Sequence, residues 1–454
     1  MNKETEIKLC LSQDALSRVR EHPLLAKRNK SGWVKVELAN QYFDTPKGDL
    51  AAAHVALRIR RDGDDLIQTL KSRGASVAGL SERNEWDWPL EKAKLDLKKL
   101  DDSCWPQALA ELDKKQLKAV FSTDFVREKA DIAWGRGKSR VVIEAALDLG
   151  TVKAGKLKAP LCELELELKE GEVGALLELA QALAADIPVL PCDISKAERG
   201  YRLSDTRARA DLALPEVDAL APLDANIPAL VGYLLASSQR LAEQYVHTGH
   251  WRVLGEWFAS LTDLRALLSS LGQAAPRAST HALREYLDGL IGHWRAFVHA
   301  GHHDEALRQQ APERFAQELS QTRWGQFSLS CAKWLYDKHW MAERNARGSR
   351  QGAALLGNWL AHLLTDEALA LQLKRYQQQP EDLAEQLPRI EKMLVWLRLA
   401  RTALIEVPEV DRFYGELREL QELALEPISD ELLEARVAQA HTVWTLKAYK
   451  ALTR

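Results

Sequence analysis

The sequence predicts an α+β chain in two parts: a β-sheet closed on itself with flanking helices, then an all-α bundle. Three observations predict it. Short runs with period-2 alternation crowd the first 204 residues. Segments with apolar residues at helical spacing fill the chain from residue 226 onward. Most of the strand runs carry one apolar and one ionised face, and some ionised faces are nearly single-signed. A length of 454 residues fits two or three domains at roughly 150 residues each.

In chain order the strand runs are ETEIKL, ALRIRR, DLIQTLK, RNEWDW, VVIEAALDL and CELELELK. Asp62-Gly63-Asp64-Asp65 reads as a hairpin turn between the second and third, and Pro46-Lys47-Gly48-Asp49 as another turn. Two helices interrupt them, roughly at 12–21 and at 172–186, the latter (EVGALLELAQALAAD) with a clear apolar stripe. Farther on, Leu261, Leu264, Leu267 and Leu268, then Leu283, Leu287, Leu290 and Ile291, then Met393, Trp396 and Leu397 mark helix faces. About eight to ten helices and no strand are expected there. The join falls at 205–225, where Pro, Ala and Asp mix without a sustained period. The predicted domains are therefore 1–204 and 226–454.

The charge pattern carries the functional signal. Glu163, Glu165 and Glu167 share one face of a strand, with Leu164, Leu166 and Leu168 on the other. Carboxylates about 7 Å apart repel by on the order of 2 kcal/mol at an effective dielectric near 20. A solvated outer face would relieve this strand taken alone. The other strands favour a second arrangement. Glu4, Glu6 and Lys8 share a face, as do Arg58 and Arg60, then Thr69 and Lys71. Arg83, Glu85 and Asp87 follow, then Arg127 and Lys129, then Glu144 and Asp148. A barrel that turns these faces inward makes acids and bases converge. Such a lumen needs a ligand of complementary charge. The acids suit divalent cations with oxygen ligands, and the bases suit a multiply charged anion. Together they describe a metal–polyphosphate site.

Composition narrows the alternatives. Lys+Arg is 62 against 65 for Asp+Glu, and residues 1–200 carry as many bases as acids, which argues against a nucleic-acid partner. The five cysteines form no C-x-x-C pair, so neither a disulfide framework nor a cysteine zinc knuckle is expected, and a reducing cytoplasm fits. The opening MNKETEIK has no apolar core, and no run of about 20 apolar residues occurs, so neither a secretory leader nor a membrane span is expected. No Ser-His-Asp order or covalent nucleophile stands at the centre of the constellation, so the expected chemistry is attack by metal-activated water on a phosphoanhydride.

The ordered series Glu4-Thr5-Glu6-Ile7-Lys8, Gln41-Tyr42-Phe43-Asp44-Thr45-Pro46, Leu57-Arg58-Ile59-Arg60 and Thr69-Leu70-Lys71 resembles the CYTH, or triphosphate tunnel metalloenzyme, superfamily. The series continues through Arg83 with Glu85, Phe125-Val126-Arg127-Glu128-Lys129, Glu144 with Asp148, Glu163/Glu165/Glu167 and Ser195-Lys196-Ala197-Glu198-Arg199-Gly200-Tyr201. The resemblance implies an eight-stranded antiparallel tunnel and one or two Mg²⁺ or Mn²⁺ ions. It implies metal ligands at Glu4, Glu6, Glu163, Glu165 and Glu167, with Glu144 or Asp148 serving a second ion. It implies triphosphate contacts from Lys8, Arg58, Arg60, Lys71, Arg83, Arg127 and Lys196, with Asp44 and Arg199 in support. Glu85 and Asp87 read as neutralisers of neighbouring bases. The implied activity is hydrolysis of inorganic triphosphate to pyrophosphate and phosphate. Thiamine triphosphatase, adenylyl cyclase and a polyphosphate-binding protein without turnover are the alternatives.

The helical part resembles a CHAD domain, and CYTH followed by CHAD resembles the architecture of bacterial inorganic triphosphatases. CHAD domains usually carry an H-x-x-R-V-x-x-R-R-L-R run. The nearest match here, Ser260-Leu261-Thr262-Asp263-Leu264-Arg265-Ala266-Leu267-Leu268, keeps only Arg265 of the bases. Polyphosphate is the ligand the resemblance implies for this half; a helical scaffold or interaction module is the alternative. His299, His302 and His303 cluster without the spacing of a known zinc motif.

Overall fold

The computed structural model describes residues 2–29, 32–72, 74, 76–77, 79–135, 140–204, 212–365, 371, 373, 378–404, 406–426 and 428–452. Residues 205–211 of the expected join lie outside the described residues. Eight long strands form the N-terminal barrel: β1 (Asn2–Cys10), β2 (Val34–Asp44), β3 (Val55–Asp62), β4 (Asp65–Ser72), β5 (Leu80–Leu90), β6 (Lys118–Trp134), β7 (Val141–Ala154) and β8 (Leu157–Glu170). Their order is β1-β8-β7-β6-β2-β3-β4-β5, and β5 pairs back onto β1, with Glu4 opposite Arg83. Every pairing is antiparallel. Closure leaves none of the eight without a partner on either side, which removes the exposed edges an open sheet would carry.

Local sequence explains the connections. β3 and β4 form a hairpin across Gly63-Asp64, with Asp62 opposite Asp65 and Gly63 at φ 58. β2 does not alternate cleanly in sequence, because Ala39, Asn40 and Gln41 interrupt the pattern. Its place between β3 and β6 is set by pairing on both sides.

Alternation then sorts the two faces. Ile7, Leu9, Leu57, Leu70, Ile143, Ala145, Leu147, Leu164 and Leu166 point outward and are nevertheless buried. Helix α1 (Gln13–Glu21), opened by Ser12 accepting from the Ala15 N–H at 3.1 Å, packs its Ala15, Leu16 and Val19 on this side. Helix α2 (Gly174–Ala184) adds Leu176, Leu177, Leu179 and Leu183. The segment after β5 covers β3 and β4 with Leu100, Trp105 and Leu109. Each Leu, Ile or Val side chain among them contributes about 1.5–3 kcal/mol on leaving water. With the outside apolar and covered, the ionised faces are left to line the lumen. Helix α3 (Lys196–Ser204) packs against β6, β7 and β8.

From residue 223 the described chain holds eleven α-helices and four 3-10 segments, more than the eight to ten expected. Short helices such as Ala346–Ala353 and Lys447–Leu452 span too few turns for an apolar period to register in sequence. Helix α4 (Leu223–Thr248) opens this region. One compact unit comprises Met1–Asp211, Gln239–Thr248 and Pro312–Lys333; the other comprises Leu212–Ser238, Gly249–Ala311 and Trp334–Arg454. A core of the second unit gathers Ile390, Met393, Leu397, Phe413, Leu417, Leu420 and Val443. Among the described residues no helix is long and apolar enough to cross a membrane.

Candidate active site

Strand parity aims the predicted side chains into the barrel. Glu4, Glu6 and Lys8 on β1, Arg58 and Arg60 on β3, Lys71 on β4, and Arg83 on β5 line a cavity of about 360 Å³. Arg127 on β6, Glu144 on β7, Glu165 and Glu167 on β8, and Lys196 on α3 line it as well. Asp148 and Glu163 do not reach its surface. Both are 0% exposed and stand directly opposite each other on β7 and β8, behind the lining.

Register explains how the acids divide. Asp148 and Glu163 form one row, with Glu165 one step along β8. Oxygens of these three lie within 4.8 Å of one another, close enough to share an ion. Lys196 Nζ stands among them at 2.7, 2.6 and 2.8 Å. Arg127 clamps Asp148 with two N–H donors at 2.7 Å each and reaches Glu165 at 2.6 Å. Lys8 adds contacts of 3.2 Å to Glu165 and 3.9 Å to Glu163. This group is already neutralised by protein cations, so compact geometry alone overstates its appetite for a metal.

The second row is different. Glu6, Glu167 and Glu144 are direct neighbours across β1, β8 and β7, with Glu4 two residues from Glu6. Like charges placed opposite each other destabilise a sheet. The cations stand farther from Glu6 and Glu144: Lys8 lies 3.9 Å from Glu6, and Lys169 lies 3.8 Å from Glu144 though only 2.7 Å from Glu167, while Lys71 pairs with Glu4 at 2.6 Å. Lys129 is 3.7 Å from Glu144. Burial and the neighbouring Glu165 push the Glu6 carboxyl above its ordinary range. Burial likewise raises Glu167 against the opposing pull of Lys169. In the other group burial acts on Glu165 too, but Lys196, Lys8 and Arg127 overcome it and hold that carboxyl well below the usual range.

Opposite the acids is a basic wall. Arg58 stands 3.7 Å from Glu85, and Lys71 contacts Glu4 at 2.6 Å and Glu85 at 3.1 Å. Glu85 thus neutralises Arg58 and Lys71, while Asp87 accepts from the Thr69 hydroxyl at 2.6 Å. Arg60 donates to Asn40 Oδ1 at 3.1 Å and, among the described residues, carries no ion pair within 4.0 Å. Burial and the nearby Arg58 and Arg127 lower it to about 10. A half-buried guanidinium crowded by cations is a ready binder of anions. Arg83 donates to the Asp193 carbonyl at 3.2 Å.

Of the supporting residues, Asp44 accepts from the N–H groups of Thr45, Leu50 and Ala51 at 2.7, 2.9 and 2.9 Å, which ties the turn after β2. Arg199 is buried beside Glu163 at 3.3 Å. Lys129, Lys169 and Tyr42 also line the cavity. Lys169 was signalled by the same alternation that marked Glu163, Glu165 and Glu167, and Tyr42 by its place in the β2 motif.

Residues 2–201 match the family model described as CYTH domain. A Haemophilus influenzae protein named inorganic triphosphatase is 32% identical over 211 residues, covering 46% of this chain and 58% of that protein. The chain thus spans under two thirds of that relative's length. Among solved structures, a candidate adenylyl cyclase from Hippeastrum with a dominant triphosphatase activity is 21% identical, over 44% of this chain and 95% of that one, at a TM-score of 0.32. A candidate adenylate cyclase from Bacillus halodurans is 22% identical, over 41% and 94%, at 0.28.

Proposed function

We propose that the chain hydrolyses inorganic triphosphate to pyrophosphate and phosphate inside the barrel, with Mg²⁺ or Mn²⁺. The observation that carries this reading is the division of the lumen: a basic wall faces a row of carboxylates in which, among the described residues, Glu6 and Glu144 meet protein cations no closer than 3.7 Å. A neutral or singly charged substrate would leave both walls uncompensated. The curated relative named inorganic triphosphatase supports the same substrate.

The donors on offer are carboxylate oxygens, the ligands hard divalent cations take. Glu4, Glu6, Glu167 and Glu144 are the residues we assign to hold such ions, with Glu165 within reach and Asp148 and Glu163 fixing the cations behind the lining. A bound ion supplies charge neutralisation and a water of lowered pKa. The chain's own residues do the rest. Arg58, Arg60, Lys71 and Arg83 hold phosphate oxygens, and Lys8, Arg127 and Lys196 hold them from the opposite side. Phosphoryl transfer spreads charge over its oxygens, so pre-set cations lower the barrier without forming a covalent bond. Glu85 tethers Arg58 and Lys71, so these cations are oriented before substrate arrives.

The test is phosphate release from triphosphate, ATP, thiamine triphosphate and long-chain polyphosphate, with Mg²⁺ and with Mn²⁺. Turnover strongest on triphosphate and abolished by chelator is expected. Silence across the panel overturns the reading. Replacement of Glu4 and Glu6 by Ala removes the activity; near-wild-type rates would overturn the metal assignment.

For the remainder we propose a CHAD-like helical domain over 226–454, joined through 205–225, that binds polyphosphate. The supporting feature is not the thin sequence motif. It is a cluster of Arg265, Arg277, Arg284, Arg389 and Lys392, in which burial and neighbouring arginines lower both Arg284 and Lys392.

A further inference from the structure

We infer that Glu243, on helix α4 and beyond the matched residues 2–201, is a positioning residue for the lumen cation Lys196. Residues Gln239–Thr248 belong to the same compact unit as the barrel. Glu243 is 1% exposed there. Arg202 Nη2 donates to its two oxygens at 3.0 and 2.7 Å. Arg199 Nε lies 3.1 Å from it as an ion contact, its N–H not aligned for a hydrogen bond. His247 Nε2 is 3.3 Å away. Burial alone would raise this carboxyl; the bond from His247 and the charges of Arg199 and Arg202 hold it below the usual range.

Both arginines belong to α3, the helix that begins with Lys196. Lys196 and Arg199 are three residues apart, so they are neighbours on one helix face. They also share a target. Lys196 takes Glu163 Oε1 at 2.6 Å, and Arg199 Nη1 lies 3.3 Å from Oε2, which has no hydrogen-bond partner. Glu243 therefore shares Arg199 with the carboxylate that Lys196 uses. Arg240, one turn earlier on α4, pairs with Asp193 at 2.7 Å and with Glu198 on α3. The carbonyl of Asp193 receives Arg83 from the cavity wall. One helix segment thus grips both chain sections that seat lumen cations. Without Glu243, buried Arg199 keeps Glu163 as the one anion of the two, which draws it closer to that carboxylate. Lys196 then loses its place between Asp148, Glu163 and Glu165.

The inference rests on the triphosphate reading, and the experiment separates the two. In the full chain, kcat, KM and Tm are measured with Mg²⁺-triphosphate for wild type, Glu243→Gln, Glu243→Asp, Lys196→Ala and the Glu243→Gln/Lys196→Ala double variant. Glu243→Gln is expected to raise KM about tenfold, Glu243→Asp to recover most of it, and Glu243→Gln to add less than about twofold once Lys196 is Ala. A folded Glu243→Gln with wild-type KM, or effects that multiply in the double variant, overturns the positioning role. Should Glu243→Gln not fold, Arg202→Gln in place of it is read by the same cycle. If wild type neither turns over nor binds triphosphate by calorimetry, the functional reading has failed, and the inference with it.

Discussion

Arg60 is held where charge is least welcome. Its guanidinium is half-buried near two other arginines, and its ordinary range is lowered to about 10. The empty protein therefore gains little from this charge, and a bound anion gains much. Arg60→Met should leave Tm in the absence of triphosphate equal to or above that of wild type, while KM rises at least about tenfold, as loss of a charge-assisted bond would require. A Tm drop with unchanged KM would mark Arg60 as structural. Glu6 argues the same way with the opposite sign of charge. Its folded-state carboxyl is raised above the ordinary 4.5 by burial and Glu165. A raised carboxyl costs stability when ionised, and that cost is relieved as pH falls through the folded value. Glu6→Gln should thus be more stable than wild type at pH 7.5 in chelator, with the difference gone below about pH 4.5. Added Mg²⁺ should raise the Tm of wild type more than that of Glu6→Gln, because only the former keeps the anionic ligand. Parity along β1 and β3 made both residues visible in sequence. What parity cannot tell is depth: Asp148 and Glu163 face inward like the rest, yet lie behind Lys196 and Arg127.

At the scale of elements, α3 and the barrel wall depend on one close approach. A Cβ at Gly200 would meet the Phe121 ring at 2.1 Å, and Phe121 is itself buried between Tyr42 and Tyr201. No rotation of a flexible side chain relieves that contact, since the ring is stacked on Tyr42 at 4.7 Å. Gly200→Ala should cost about 1–3 kcal/mol by overpacking. The helix carrying Lys196 must shift to accommodate it, so triphosphate affinity should fall along with Tm. A variant that loses stability but keeps affinity would show that α3 moves without disturbing Lys196. The barrel strands were legible because their alternation is strong and their neighbours antiparallel. β2 was visible only through its motif, because Ala39, Asn40 and Gln41 break the alternation, and pairing with β3 and β6 decides it. Helix number was underestimated for a related reason: helices of two turns carry too little periodicity to read.

The two compact units invite different experiments. If the cations of the second unit bind polyphosphate, labelled long-chain polyphosphate should still bind when the barrel is saturated with triphosphate. That binding should weaken steeply with salt and fall at least about tenfold in Arg284→Glu/Lys392→Glu, with triphosphate turnover unchanged. Displacement by triphosphate alone would assign all polyanion binding to the barrel. By itself the sequence determined the two-part architecture, the barrel's inward and outward faces, and the acids and bases of the lumen. These follow from local periodicity, which depends only on neighbours two or four residues apart. Only the tertiary structure decided how closely protein cations approach each carboxylate, 2.6–2.8 Å from Lys196 to Asp148, Glu163 and Glu165 but 3.9 Å from Lys8 to Glu6. It alone brought Glu243 to Arg199 and Arg202, some forty residues earlier in the chain. Charge balance in a lumen is a property of distances between strands and helices, and no pattern along one strand contains it.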